Sequence, residues 1–119
     1  MDRVTFVAED EERWVGLVTG MVDQAMGSRF ALVGMFVEPA ARGQGIGAAL
    51  VDAVTDWARE RGAAQLYLGV TSTNHPAIRL YHRCGFKPTG QREPLRHTPA
   101  ETVLEMVRDV PRRDAPGGA

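Results

Sequence analysis

Apolar and polar positions change period several times along this chain, and the changes mark out its elements. Near the start Val4, Phe6 and Ala8 alternate with Thr5, Val7 and Glu9, and after the acidic run Glu9-Asp10-Glu11-Glu12 the stretch Trp14 to Val22 is again apolar with scattered glycine. Alternation on both sides of a polar turn predicts a β-hairpin. Phe30 to Val37 is apolar at nearly every position, which predicts a central strand buried on both faces. Pro39 ends it, because proline cannot donate into a continuing ladder.

From Gly45 the period lengthens. Ile46, Ala49, Leu50, Ala53, Val54, Trp57 and Ala58 recur at three- and four-residue steps, the stripe of a helix packed on a sheet. Arg59 and Arg61 favour its C-terminus and Gly62 stops it. Leu66, Leu68 and Val70 then alternate with Tyr67 and Gly69 as a strand, parallel to the preceding one because a helix joins them. Asn74 with Pro76 opens a second, short helix that ends near Gly85. Phe86 to Glu93 and Thr102 to Asp109 read as two last strands joined by the loop Pro94 to Glu101. The order ββ-βα-βα-ββ predicts a mixed α/β sheet with a parallel pair at its centre.

Between the central strand and the first helix lies Arg42-Gly43-Gln44-Gly45-Ile46-Gly47. Glycines there let the backbone approach a ligand, and the helix that follows offers unpaired N–H groups and the positive end of its dipole, so the loop suits a pyrophosphate. Arg42 adds a side-chain charge. The spacing is not the dinucleotide G-x-G-x-x-G, and no Gly-Lys-Ser/Thr of a Walker loop is present.

The unit Met35-Phe36-Val37-Glu38-Pro39-Ala40-Ala41-Arg42-Gly43-Gln44-Gly45-Ile46-Gly47-Ala48-Ala49-Leu50 resembles the acetyl-CoA signature of the GCN5-related N-acetyltransferases (GNAT), Gln/Arg-x-x-Gly-x-Gly/Ala, met here by Arg42, Gly45 and Gly47. A second hallmark of that family is similar to Asn74-His75-Pro76-Ala77-Ile78-Arg79-Leu80-Tyr81-His82-Arg83-Cys84-Gly85-Phe86, an Asn-started helix carrying a Tyr and closing on Gly-Phe. The resemblance runs from Val4 to Asp109. It implies the acyl-CoA N-acyltransferase fold over residues 1–110; the tail 111–119 reads as disordered from its own composition, polar with repeated Pro and Gly. It implies transfer of an acetyl group from acetyl-CoA, as cosubstrate, to a primary amine of a small molecule or peptide by direct attack. Met35, Phe36, Val37, Arg42, Gly43, Gln44, Gly45, Ile46, Gly47, Ala48, Asn74 and Tyr81 are then the cofactor-binding positions.

The same resemblance suggests roles. A backbone N–H near Val37 polarises the thioester carbonyl. Tyr81 is the proton donor to the leaving thiolate, a phenol of pKa ~10 facing a thiol of ~8.5. As a ring on a short helix it also suits a core. Asn74 contacts the pantetheine arm or caps its helix, and the two are compatible. For the base, relatives that acetylate protein N-termini carry a Glu at the position of Gly69, so Glu38 is the candidate here, ahead of His75, His82 and His97. Family members begin with a strand and two helices, whereas this chain aligns from their second strand, so that either the start is truncated or another chain supplies the cover. Exposed sheet edge and apolar surface would follow, and a homodimer, through strands near the C-terminus, is the expectation.

Bulk properties narrow the setting. With 119 residues, 44% hydrophobic and 24% charged, the chain is one ordinary globular domain. A net charge of −1 gives no reason to expect nucleic acid or a membrane as partner. No membrane-length apolar run or signal pattern is seen, which makes the cytoplasm the default. The acidic run 9–12 is either a docking site for a basic substrate or a solvated loop tip. The single cysteine, Cys84, has no metal-ligand spacing and reads as a packed thiol; no metal site is expected. Two other readings stay open: a CoA-binding module without turnover, and a structural α/β domain.

Overall fold

The computed structural model describes residues 2–95 and 98–112. His97 and most of the 111–119 tail lie outside the described residues. Six strands and two helices run in the order β1 (Arg3–Asp10), β2 (Arg13–Asp23), β3 (Arg29–Val37), α1 (Ile46–Glu60), β4 (Gln65–Thr71), α2 (His75–Arg83), β5 (Lys87–Leu95) and β6 (Thr98–Asp109), with short 3-10 turns at Gln24–Met26 and Pro39–Ala41. The sheet order is β1-β2-β3-β4-β6-β5. Only β3 and β4 are parallel, as the α1 crossover requires, and every other neighbouring pair is antiparallel. β5 and β6 are longer than the apolar pattern alone suggests, because they pair with each other beyond the part that meets the core.

The hairpin turn is tight. Asp10 pairs with Arg13, so Glu11 and Glu12 alone make the bend and take left-handed conformations, φ 50° and 68°. All of residues 9–12 are exposed, a solvated tip.

Both helices contribute to one core. Leu50, Val51, Val54, Trp57 and Ala58 of α1 and Tyr81 of α2 share it with Val18, Leu32, Leu66, Leu68, Val70, Phe86 and Met106. Close approach is allowed by Gly20, where a Cβ would stand 2.9 Å from the Trp57 ring and 3.1 Å from Val54 Cγ1. The buried Thr55 hydroxyl donates to the Val51 carbonyl at 2.8 Å, so a polar group inside the helix interface is satisfied.

The opposite face carries no helix among the described residues. This corrects one expectation: β3 is central in the sheet but buried on one face only. Of its nine residues Leu32 alone is fully buried, and Phe36 is 51% exposed. On that open face Val7, Leu17 and Phe36 stand side by side in register across three strands, with Trp14 nearby at 65% exposure and its indole N–H donating to Glu9 at 3.0 Å.

Candidate active site

The site is made where β3 and β4 separate. Their register consists of Ala31 with Tyr67 and Leu32 with Leu68, although β3 runs on to Val37 and β4 to Thr71. The cause is in β3. Between Leu17/Phe36 and Thr19/Val33 its pairing with β2 gains one residue, and Gly34 sits there at φ +64°, a β-bulge that bends the strand. Past Leu32 the β3 edge that faces β4 has lost its ladder partner. Unpaired N–H and C=O groups therefore line a gap between two parallel strands, and an extended ligand arm could bond to them.

The glycine loop lies at the end of β3. Gly45 is the N-cap of α1 and takes a left-handed conformation, φ 82°, with no side-chain cap. The first bond of the helix runs from the Ala49 N–H to the Gly45 carbonyl at 3.0 Å. The N–H groups of Ile46, Gly47 and Ala48 thus have no acceptor within the helix and point out of its N-terminus. Among the described residues, and apart from the chain neighbours, no atom lies within 4 Å of where a Gly45 side chain would begin, and the same holds at Gly43. Arg42, exposed, donates from Nε to the Val37 carbonyl at 3.0 Å, which leaves both terminal nitrogens of its guanidinium for an anion. Gly47 serves a different purpose from the other two glycines. A Cβ there would meet Leu80 Cδ2 at 2.8 Å, so its small size seats α2 against the start of α1 and brings the second motif beside the first.

On α2, Asn74 caps the helix by accepting the Ala77 N–H at 3.3 Å, and its amide nitrogen stays available. Tyr81 follows Leu80. Its ring is buried at 5% exposure and stacks edge-on against Phe86 with centroids 5.8 Å apart. Among the described residues its hydroxyl has no hydrogen-bond partner, and the buried polar side-chain atom sealed without a partner is Trp57 Nε1; the phenol oxygen thus keeps an opening. Burial first, and the neighbouring Cys84 second, push the phenol up to about 12. The group stays protonated at neutral pH. It is a hydrogen-bond donor rather than a free-running acid toward an ordinary thiolate. Burial and Asp52 raise the Cys84 thiol, and a raised, half-buried thiol is a poor nucleophile.

The other predicted positions are less central. Met35 and Val37 are half-buried against the core edge and Phe36 faces the open side. Gln44 and Gly43 are exposed in the loop. Glu38 is engaged by Arg13 in a side-chain ion pair, so its carboxylate already ties the hairpin tip to the end of β3. His75 and His82 are exposed on α2. Sequence reasoning passed over Arg13, Gly34 and a cluster on the open face, in which Arg29 lies over the Tyr67 ring at 3.7 Å and donates to Glu105 at 2.8 Å. A lone glycine in an apolar strand was a readable sign of the bulge. Arg29, Tyr67 and Glu105 meet only through strand register, which no local pattern reveals. Among the described residues no group of His, Cys, Asp or Glu could hold a metal ion.

A six-stranded mixed sheet split between its parallel strands, with a glycine-opened helix at the split, defines an acyl-CoA-dependent transferase fold. The chain matches the acetyltransferase (GNAT) family over residues 1–86, and it belongs to that family. It is 40% identical over 85 residues to streptothricin acetyltransferase of Streptomyces lavendulae, covering 71% of this chain and 45% of that protein. The crystal structure of nourseothricin acetyltransferase superposes with a TM-score of 0.83 at 36% identity, over 92% of this chain and 66% of the other. A structure of a streptothricin acetyltransferase homologue from Bacillus anthracis str. Ames, in complex with acetyl coenzyme A, has the same fold, with a TM-score of 0.80 at 18% identity over 92% and 63% of the two chains. This chain spans less than half the length of the curated relative it matches.

Proposed function

We propose that the protein transfers an acetyl group from acetyl-CoA to a primary amine, by direct attack of the amine on the thioester and without a covalent enzyme intermediate. The observation that carries this is the parting of β3 and β4 directly beside the N-terminus of α1. One ligand can then lay its pyrophosphate on the N–H groups of residues 46–48 and on Arg42, and run its arm into the gap. In this reading the backbone of residues 35–37 receives the arm and the carbonyl, and the loop 43–45 closes around the phosphates. Asn74 borders the arm, and Tyr81 donates a hydrogen bond to the departing sulfur. Glu38, held by Arg13, is the candidate base.

The domain comprises residues 1–110. The acceptor class is a small-molecule or peptide amine, and the relative named above makes streptothricin the first to test. A homodimer is part of the proposal. It is supported by the open face with Trp14, Val7 and Phe36 exposed, whereas Pro88 and Pro94 blunt the outer strand β5 against edge pairing. No described helix is long and apolar enough to cross a membrane, and a cytoplasmic setting is in keeping with that.

The test is a thermal shift with acetyl-CoA followed by thiol release with streptothricin and simple primary amines. Stabilisation with amine-dependent thiol release is expected. Stabilisation without release would make the chain a binding module, and neither would make it a structural domain.

A further inference from the structure

On the helix-free face, next to the parting of β3 and β4, lies a cavity of about 620 Å³. Its lining residues include three acidic ones, Asp23, Glu93 and Glu105, and two basic ones, Arg29 and Arg92, of which Arg92 stands opposite Leu104 on the core side of the sheet. Acidic residues thus outnumber basic ones on this face, which favours a cationic ligand there. Glu105 is the carboxylate nearest the gap in register. It stands on β6 directly opposite Gly69 of β4. Gly69 itself puts no side chain between this carboxylate and the gap, and its place is taken by Val103 Cγ1, which stands 2.9 Å from where a Gly69 Cβ would be.

Glu105 is also held in place. Arg29 Nη1 donates to its Oε2 and Thr89 Oγ1 to its Oε1, each at 2.8 Å, and Arg29 is itself fixed over the Tyr67 ring. A carboxylate accepts about four hydrogen bonds, so the two anchors orient the group without saturating it. Its side chain remains 25% exposed to the cavity side.

We propose that Glu105 is the positioning residue for the acceptor: its carboxylate takes the substrate's ammonium group from the open face and holds the nitrogen at the gap between β3 and β4. This rests on the acetyltransferase reading and adds to it a residue on β6. The nitrogen becomes nucleophilic by releasing a proton to water, a transfer in which Glu105 is assigned no part.

The test is calorimetric binding of streptothricin to CoA-saturated protein, paired with steady-state kinetics, for wild type, Glu105→Gln and Glu105→Asp. A lost charge-assisted hydrogen bond predicts streptothricin binding weakened by about 10- to 100-fold in Glu105→Gln. KM for the amine should rise to match, with kcat at saturating amine and acetyl-CoA affinity unchanged and partial recovery in Glu105→Asp. Unchanged streptothricin affinity in a Glu105→Gln protein that still binds acetyl-CoA would overturn the assignment. So would a loss confined to kcat. Should Glu105→Gln fail to fold, amide shifts of wild type on adding streptothricin decide: changes at Gly69, Val103 and Glu105 support the site, and changes confined to other strands refute it. Wild type that fails to bind acetyl-CoA would instead count against the acetyltransferase reading itself.

Discussion

Replacing Tyr81 with Phe removes one hydroxyl and leaves the ring against Phe86. Because that hydroxyl has no partner among the described residues, folding stability at neutral pH should stay within about 0.5 kcal/mol of wild type. Catalysis should not be so indifferent. With the phenol at about 12, full proton transfer to a thiolate of reference pKa ~8.5 is uphill by about 3.5 pK units, or ~5 kcal/mol. A hydrogen bond to the charged sulfur is the more accessible contribution, worth ~1.5–3 kcal/mol and so about 10- to 150-fold in rate. Thiol release under single-turnover conditions should slow by that factor while acetyl-CoA affinity is kept. The pH dependence gives an independent check. An unfolded phenol loses its proton near 10 and the folded one near about 12, so between those values the unfolded state holds fewer protons and stability falls as pH rises. Below pH ~10 that contribution is fully present. Denaturant unfolding from neutral pH to beyond pH 11 should show this extra loss in wild type and not in Tyr81→Phe. A wild-type single-turnover rate in Tyr81→Phe, or a neutral-pH destabilisation above ~1 kcal/mol, would make Tyr81 a packing residue.

Three further changes have defined outcomes. Gly47→Ala places a Cβ 2.8 Å from Leu80 Cδ2, the movable end of a half-buried side chain, while alanine favours the helix by ~0.5–1 kcal/mol; the two should nearly offset alone, and in thermal unfolding Gly47→Ala should be clearly stabilising on a Leu80→Ala background. Asn74→Ala removes the cap on Ala77 and should lower stability by ~1 kcal/mol in denaturant titration. Gly20→Val drives a branched side chain into Trp57 and Val54 and should cost ~3 kcal/mol or fail to fold, read from circular dichroism on heating.

Much of the fold was legible because its signals are local. The three- and four-residue recurrence from Ile46 to Ala58 marks α1, Asn74 followed by Pro76 opens α2, and left-handed Gly62 and Gly85 close the two helices as expected. What covers the far face of a strand is not local. Phe30 to Val37 carries enough apolar residues for burial on two sides, yet both helices lie on one, and Phe36 remains half exposed. The candidate site could be outlined for the same reason: the glycine loop and the Asn74 helix are contiguous motifs. Its finer features depend on distance in three dimensions. Glu38 looked free in sequence, but the hairpin brings Arg13 to it. Tyr81 looked like an ordinary phenol until burial raised it. Glu105 drew no attention because only pairing of β6 with β4 sets it opposite Gly69.

The central claim is that the N-terminus of α1 binds the pyrophosphate of acetyl-CoA. Gly45 is at φ 82°, a conformation that costs a β-branched residue more than the ~1–2 kcal/mol typical of L-residues, so Gly45→Val should displace the loop and the N–H groups behind it. Calorimetric titration of acetyl-CoA into folded wild-type and Gly45→Val protein is the direct measurement. Wild type should bind clearly, and the variant should bind about 10-fold more weakly or worse. Equal affinity in the two proteins would contradict the central claim.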